Sequence, residues 1–318
     1  MDSIELTLWL AFGVIVVGMF VLDVAVLHRR AHAVGMREAL GWTAAWVTLA
    51  LSFGAAIYYW MGSDKGLEFL TGYVIEQSLS VDNVFVFAVI FGYFNIPREY
   101  QHRVLFWGVA GAIVMRGIFI LLGVAVLESL HWAIYVMGAF LILTAIKLGT
   151  QKETGVDPEK NLAVRLFKRF MPVYQGFDGQ KLFVRRNGRT YATVLFLALL
   201  VIETTDLVFA IDSVPAILAI TQDTFIVYTS NMFAVLGLRA LYFVVAGSLG
   251  EFRFLKYGLA VVLAFVGVKM LISDWYHVPV PLSLATIVLV IGTSVAASLL
   301  FREPKELETL EHLAVKSD

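Results

Sequence analysis

Nine apolar runs punctuate this chain, at about 6–27, 40–61, 67–94, 104–126, 131–149, 191–220, 225–248, 255–273 and 281–301, most near the ~20 residues a helix needs to cross a bilayer. In hydrocarbon every backbone N–H and C=O must find its partner within the protein, so only helices and closed barrels span membranes. Barrel strands alternate apolar and polar residues with a period of two, and these runs do not. The expected fold class is therefore an all-α polytopic membrane protein with about nine transmembrane helices. Composition agrees: 59% of the residues are hydrophobic and 15% charged, against about 45–50% and about 25% in soluble domains. A net charge of −1 gives no nucleic-acid footprint, and the absence of cysteine removes disulfides and thiolate metal sites. The first run follows Asp2 and Glu5 rather than a basic segment, and reads as a retained span rather than a signal peptide.

Basic residues set the orientation, because lysine and arginine collect on the cytoplasmic side. Arg29, Arg30 and Arg37 follow the first run, Arg98 and Arg103 the third, Lys152 through Arg189 the fifth, Arg253 and Lys256 the seventh, and Arg302 and Lys305 the ninth. The loops between hold Lys65 as their sole basic residue, among Asp64, Glu128, Asp223 and Asp274. Every second loop is basic, which puts the N-terminus outside and the C-terminus in the cytoplasm. The long polar link at 150–190 is cytoplasmic on this reading, and Asn187-Gly188 between apolar-patterned flanks marks a tight hairpin in it.

Charged landmarks recur. Glu76 is followed after five residues by Asp82-Asn83, and Asp206 after five residues by Asp212-Ser213; Arg116 and Arg239 come next in each set, then Lys147 and Lys269. Three spans per set is an odd number, so the second set enters the membrane in the opposite sense, as in transporters that bind substrate between inverted repeats. The chain divides accordingly into two N-terminal helices (1–66), a first three-helix repeat (67–149), the basic link (150–190), a second repeat (191–273), and a last helix with a tail (274–318).

Glu76, Asp82, Glu203, Asp206 and Asp212 all fall inside spans. A central acid costs about 2.5–3.5 kcal/mol on translocon scales, so five uncompensated would cost on the order of 12–18 kcal/mol. Arg116 and Arg239 compensate two of the five charges; a divalent cation plus a proton would close the remaining gap. Helical geometry puts Glu76, Ser80 and Asn83 on one face and Asp206 with Ser213 on another, while Asp82 and Asp212 point about 120° away from Glu76 and Asp206. Pro215 frees the carbonyl of Ile211 beside Asp212. All six histidines lie in loops, near span ends or in the tail, so an intramembrane site is built of oxygen donors, which suit Mg²⁺, Ca²⁺ and Mn²⁺ better than Zn²⁺ or Cu²⁺. Expected ligands are Asp82, Asp212, Glu76, Asp206, Glu203, Asn83 and Ser213, with Arg116 and Arg239 as counter-charges.

The segments Glu76-Gln-Ser-Leu-Ser-Val-Asp82-Asn83 and Glu203-Thr-Thr-Asp206-Leu-Val-Phe-Ala-Ile-Asp212-Ser213-Val-Pro215-Ala, with Lys256-Tyr-Gly-Leu-Ala and Phe183-Val-Arg-Arg-Asn-Gly, resemble the TerC family of integral membrane proteins, its Alx-like branch in particular. The resemblance implies an inner-membrane protein named for tellurium resistance, whose Alx-like branch is associated with alkaline-pH response and manganese export, and carries the family's intramembrane acids onto the same five positions. Tellurite, an oxyanion, would be repelled by them. No Walker-type motif is present, so an ion gradient or the membrane potential would drive transport. The expectation is a secondary transporter rather than an enzyme, with Mn²⁺ as cargo and no permanently bound cofactor. Its partners are the metal ion and the lipid bilayer, with a homo-oligomer left open. Two alternatives stay in view: an exporter of small organic cations, and a membrane factor assisting protein assembly or metal loading of exported proteins.

Overall fold

The computed structural model describes residues 3–22, 34–130, 132–150, 161–186, 188–245 and 254–301, without the side chains of Ser3, Phe20, Leu22 and Asp82. In chain order the helices are α1 (Ser3–Leu22), α2 (Met36–Met61), α3 (Ser63–Tyr93), α4 (Arg98–Ser129), α5 (Ala133–Thr150), α6 (Leu162–Phe170), α7 (Val194–Leu218), α8 (Thr224–Val245), α9 (Leu255–Leu271) and α10 (Val280–Leu300). Each apolar run overlaps one helix. Seven of these helices, α2, α3, α4, α5, α7, α8 and α10, have the length and composition to cross a membrane. The described apolar helix in α1 runs only Ile4–Met19, and α9 has 17 residues. A helix gains 1.5 Å per residue, so 31-residue α3 and 32-residue α4 extend about 46–48 Å and project beyond the hydrocarbon layer.

Only Gly62 separates α2 from α3. Its φ of 103° lies where a Cβ would be strained, and this lets the chain reverse without a loop. The expected hairpin is present in the link: β2 (Phe183–Arg186) pairs antiparallel with β3 (Arg189–Thr193), Arg186 facing Arg189 across the turn, with Gly188 at φ 76°. Asn187 lies outside the described residues. A short β1 (Val173–Tyr174) adds a parallel strand on the other side of β3. The nine-residue α6, which the link's polarity concealed, precedes the sheet.

The helices at 63–150 and 194–271 interleave rather than sit side by side. Helix α3 packs on α8 and α4 packs on α7, while α5 packs on α9; α2 closes over α3 and α8, and α10 over α3 and α9. One core is a phenylalanine stack, with Phe53 and Phe233 centroids 4.9 Å apart and Phe12, Phe69 and Phe225 around them. At that end Lys65 pairs with Asp223 at 2.8 Å and Tyr135 bonds Asp274, joining loops expected on one side of the membrane. At the other end Tyr242 donates to Gln101 at 2.9 Å, among Phe91, Leu105 and Leu195.

The α5–α9 crossing is glycine to glycine. A Cβ on Gly138 would lie 3.0 Å from the carbonyl oxygen of Gly267, and one on Gly267 would lie 2.8 Å from that of Gly138 and from Ile142 Cγ1. Small residues bring membrane helices close where no hydrophobic effect drives them together. Gly267→Val should therefore cost about 1–3 kcal/mol or more through overpacking against backbone. It would show as a lower melting temperature of the purified protein in detergent; unchanged melting would mean that the helices do not approach this closely.

Candidate cation site

Arg116 stands at the middle of α4 with no solvent exposure. Its guanidinium grips Asp206 of α7 in a fork, Nη2 donating to Oδ1 at 3.0 Å and Nε to Oδ2 at 3.2 Å. Nη1 forms an ion pair with Glu76 of α3 and reaches Asn231 Oδ1 at 3.4 Å and Ser213 Oγ at 3.5 Å. Asn231, on α8, donates in turn to Glu76 Oε2 at 2.9 Å, and Asn83 donates to Asp206 Oδ1 at 3.4 Å. One buried cation thus ties four helices through two carboxylates, each also held by an amide. Planar, permanently charged guanidinium suits this bidentate role better than lysine would.

A cavity of about 60 Å³ opens beside the cluster, lined by Glu76, Asn83, Arg116, Thr144, Asp212 and Ser213 and by the apolar side chains of Leu79, Leu148, Phe209 and Leu263. It has room for a cation that keeps part of its water. Asp212 is positioned by Thr144 of α5, whose hydroxyl donates to Oδ1 at 3.0 Å. Asn83 Oδ1 is buried without a hydrogen-bond partner, leaving a neutral oxygen of the kind hard cations accept.

Of the expected ligands, Glu76, Asn83, Asp212 and Ser213 border this cavity, and Asp206 lies behind it on Arg116. Asp82 is on α3 next to Asn83, but its side chain lies outside the described residues. Glu203 stands one turn before Asp206 and turns toward Gly111 of α4, where any Cβ would collide with its carboxylate; its Oε2 is buried without a hydrogen-bond partner. Arg239 lines a separate cavity, with Glu38, His102, Trp42 and Trp46, away from the cluster it was expected to compensate. Among the described residues, no three acidic or histidine side chains converge as a ready-made metal cage. The oxygen set is mixed: carboxylate, amide and hydroxyl. Asn231 and Thr144 were not foreseen; the signal for Asn231 was the Ser230-Asn231 pair inside an apolar run, a costly placement unless both groups find partners.

A polytopic helical membrane protein with a buried, charge-dense centre is the class these observations define. The chain belongs to the integral membrane protein TerC family, whose profile matches residues 61–306. It is 51% identical over 293 residues to an uncharacterized membrane protein of Myxococcus xanthus, covering 92% of each chain. It is 46% identical over 301 residues to a Salmonella typhi protein, covering 90% of this chain and 94% of that one. With an Escherichia coli K12 protein it shares 45% over 312 residues, covering 94% and 97%. Both of these carry the provisional name membrane-bound redox modulator Alx. No solved structure matches the chain.

Proposed function

We propose that the protein is a secondary transporter that exports a divalent cation, Mn²⁺ foremost, from the cytoplasm, and that 67–149 and 191–273 form an inverted repeat around the site. The observation that carries this reading is the charge at the cavity. Glu76, Asp206 and Asp212, counted as ionised, contribute −3 and the buried Arg116 returns +1, an acidic excess at the cavity that Lys147, near Asp212, offsets only in part and that a bound cation would balance. Such an excess, with Glu76 and Asp206 buried and Asp212 half-buried, needs a counter-ion, and the cavity's oxygens and volume suit one that is hard and partly hydrated. The exchange of packing partners between the two sets of helices supports the repeat. The relatives' name refers to redox, yet this chain has no cysteine, so a redox effect would not run through thiols here; metal balance is the route this site supports.

The test is flux by the pure protein in liposomes, with Mn²⁺, Ca²⁺, Mg²⁺ and Zn²⁺ in competition. Saturable Mn²⁺ movement is expected. Movement of quaternary ammonium ions in place of metal would favour the organic-cation exporter, and no flux of either would favour the assembly or metal-loading factor.

Topology makes a separate prediction. With the N-terminus outside, a reporter fused after Gly188 should read as cytoplasmic, and one in the loop holding Asp223 as external. Finding both on one side of the membrane would remove the inverted repeat.

A further inference from the structure

Helix α6 offers a surface that the cation site does not use. Asn161 caps it, accepting from the backbone N–H groups of Ala163 and Val164 at 3.0 and 3.2 Å, and its Nδ2 donates to Thr204 Oγ1 on α7 at 2.8 Å. At the other end of α6 the Phe167 ring lies 4.8 Å from that of Phe196. The two contacts set α6 upright and antiparallel along α7. Thr204 lies about 15 Å from the start of α7, and α7, with 25 residues, is about 37 Å long. The hydrocarbon is about 30 Å thick, so even if the whole excess of about 7 Å protruded at this end, Asn161 would still sit some 8 Å below the lipid surface.

The outward face of α6 matches that depth. Leu162, Leu166 and Phe170, spaced four residues apart on one stripe, are 74%, 51% and 80% exposed, while Val164 is buried and Phe167 packs against the second core. Arg165, Lys168 and Arg169 border the stripe on its far side at 100° per residue. Arg185 and Arg189 of the hairpin are exposed as well. On an upright helix at this depth the apolar stripe can meet acyl chains, while basic residues near the surface are attracted to anionic headgroups.

We infer that α6 is immersed in the leaflet at the N-terminal end of α7, Leu162, Leu166 and Phe170 facing acyl chains and Arg165, Lys168 and Arg169 holding anionic phospholipid headgroups. The 150–190 link is then no purely solvated connector. The inference depends on α7 crossing the membrane and not on the nature of the cargo.

The chain has no cysteine, so single-cysteine variants of the full-length protein can carry a fluorophore at chosen sites. In nanodiscs of phosphatidylcholine with or without equal parts phosphatidylglycerol, a label on Leu166→Cys should be quenched by acyl-chain spin labels, as one on the exposed Leu121→Cys of α4 should be. A label on Thr190→Cys in the hairpin should not. The triple variant Arg165→Gln, Lys168→Gln, Arg169→Gln should reduce preferential retention of phosphatidylglycerol by about tenfold or more. Quenching at Leu166 no greater than at Thr190 in both lipid mixtures would overturn the inference. So would a phosphatidylglycerol preference that the triple variant leaves intact, or one that inorganic phosphate abolishes, since the latter would mark a free-anion site.

Discussion

Arg116→Met should destabilise the folded protein by about 3–5 kcal/mol, because it leaves the buried carboxylates Glu76 and Asp206 without the cation that compensates them. Methionine fills much of the same volume, so the loss isolates charge and hydrogen bonding from packing. Arg116→Lys should recover part of it: the charge returns, but a single ammonium cannot reproduce the fork to Asp206 while also meeting Glu76 and Asn231. Adding Glu76→Gln and Asp206→Asn to Arg116→Met removes the stranded charges and should restore most of the stability, a coupling that a double-mutant comparison detects. Denaturant or thermal unfolding in detergent measures all four proteins. If Arg116→Met melts like the wild type, the arginine is not the counter-ion that holds α3, α4, α7 and α8 together.

Asp212→Asn should do the reverse, leaving stability near that of the wild type while weakening Mn²⁺ binding by at least about a hundredfold and abolishing efflux. Loss of an outer-shell partner already costs ten- to hundredfold in metal affinity, and a ligand should cost more. Asparagine keeps the volume and still accepts from Thr144, so the change is confined to one negative charge at the cavity. Asp82→Asn carries the same expectation, from its matching position ahead of Asn83. Mn²⁺ titration of the detergent-solubilised protein, with efflux from loaded vesicles, provides the readout. Normal efflux in both single variants would make these acids structural.

Seven of the nine expected spans were readable because bilayer crossing is a local property: a run of apolar residues needs no knowledge of its neighbours. The hairpin at Gly188 was readable for the same reason, since a two-residue turn has its own chemistry. Helix α6 was not, because nine residues carrying three basic side chains resemble any polar link, and only the placement of Phe167 and Asn161 on α7 shows what it packs against. Within the centre, the sequence announced that Glu76, Asp206 and Arg116 needed partners, and the structure joins those three. Direction was the missing quantity. Nothing local tells whether Glu203 turns toward Gly111 or toward Asp212, or that Arg239 lines a cavity with Glu38. Uncharged partners were missed more readily than charged ones, since Thr144 and Asn231 add little to the cost of a span and become essential only when a carboxylate lies opposite.

Helix α8 lies between α2, α3 and α4, with 16 of its 22 residues buried, among them Thr229, Ser230 and Asn231, and it is the most buried of the seven long helices. Alone in lipid it would present those polar groups to hydrocarbon. Its shelter has to exist before it arrives. Translation provides this, because α2, α3 and α4 leave the ribosome well ahead of α8, and α8 can pass from the insertion machinery directly into the slot they form. The linear order of the helices is therefore also an order of biogenesis, with the most enclosed member made after the helices that enclose it.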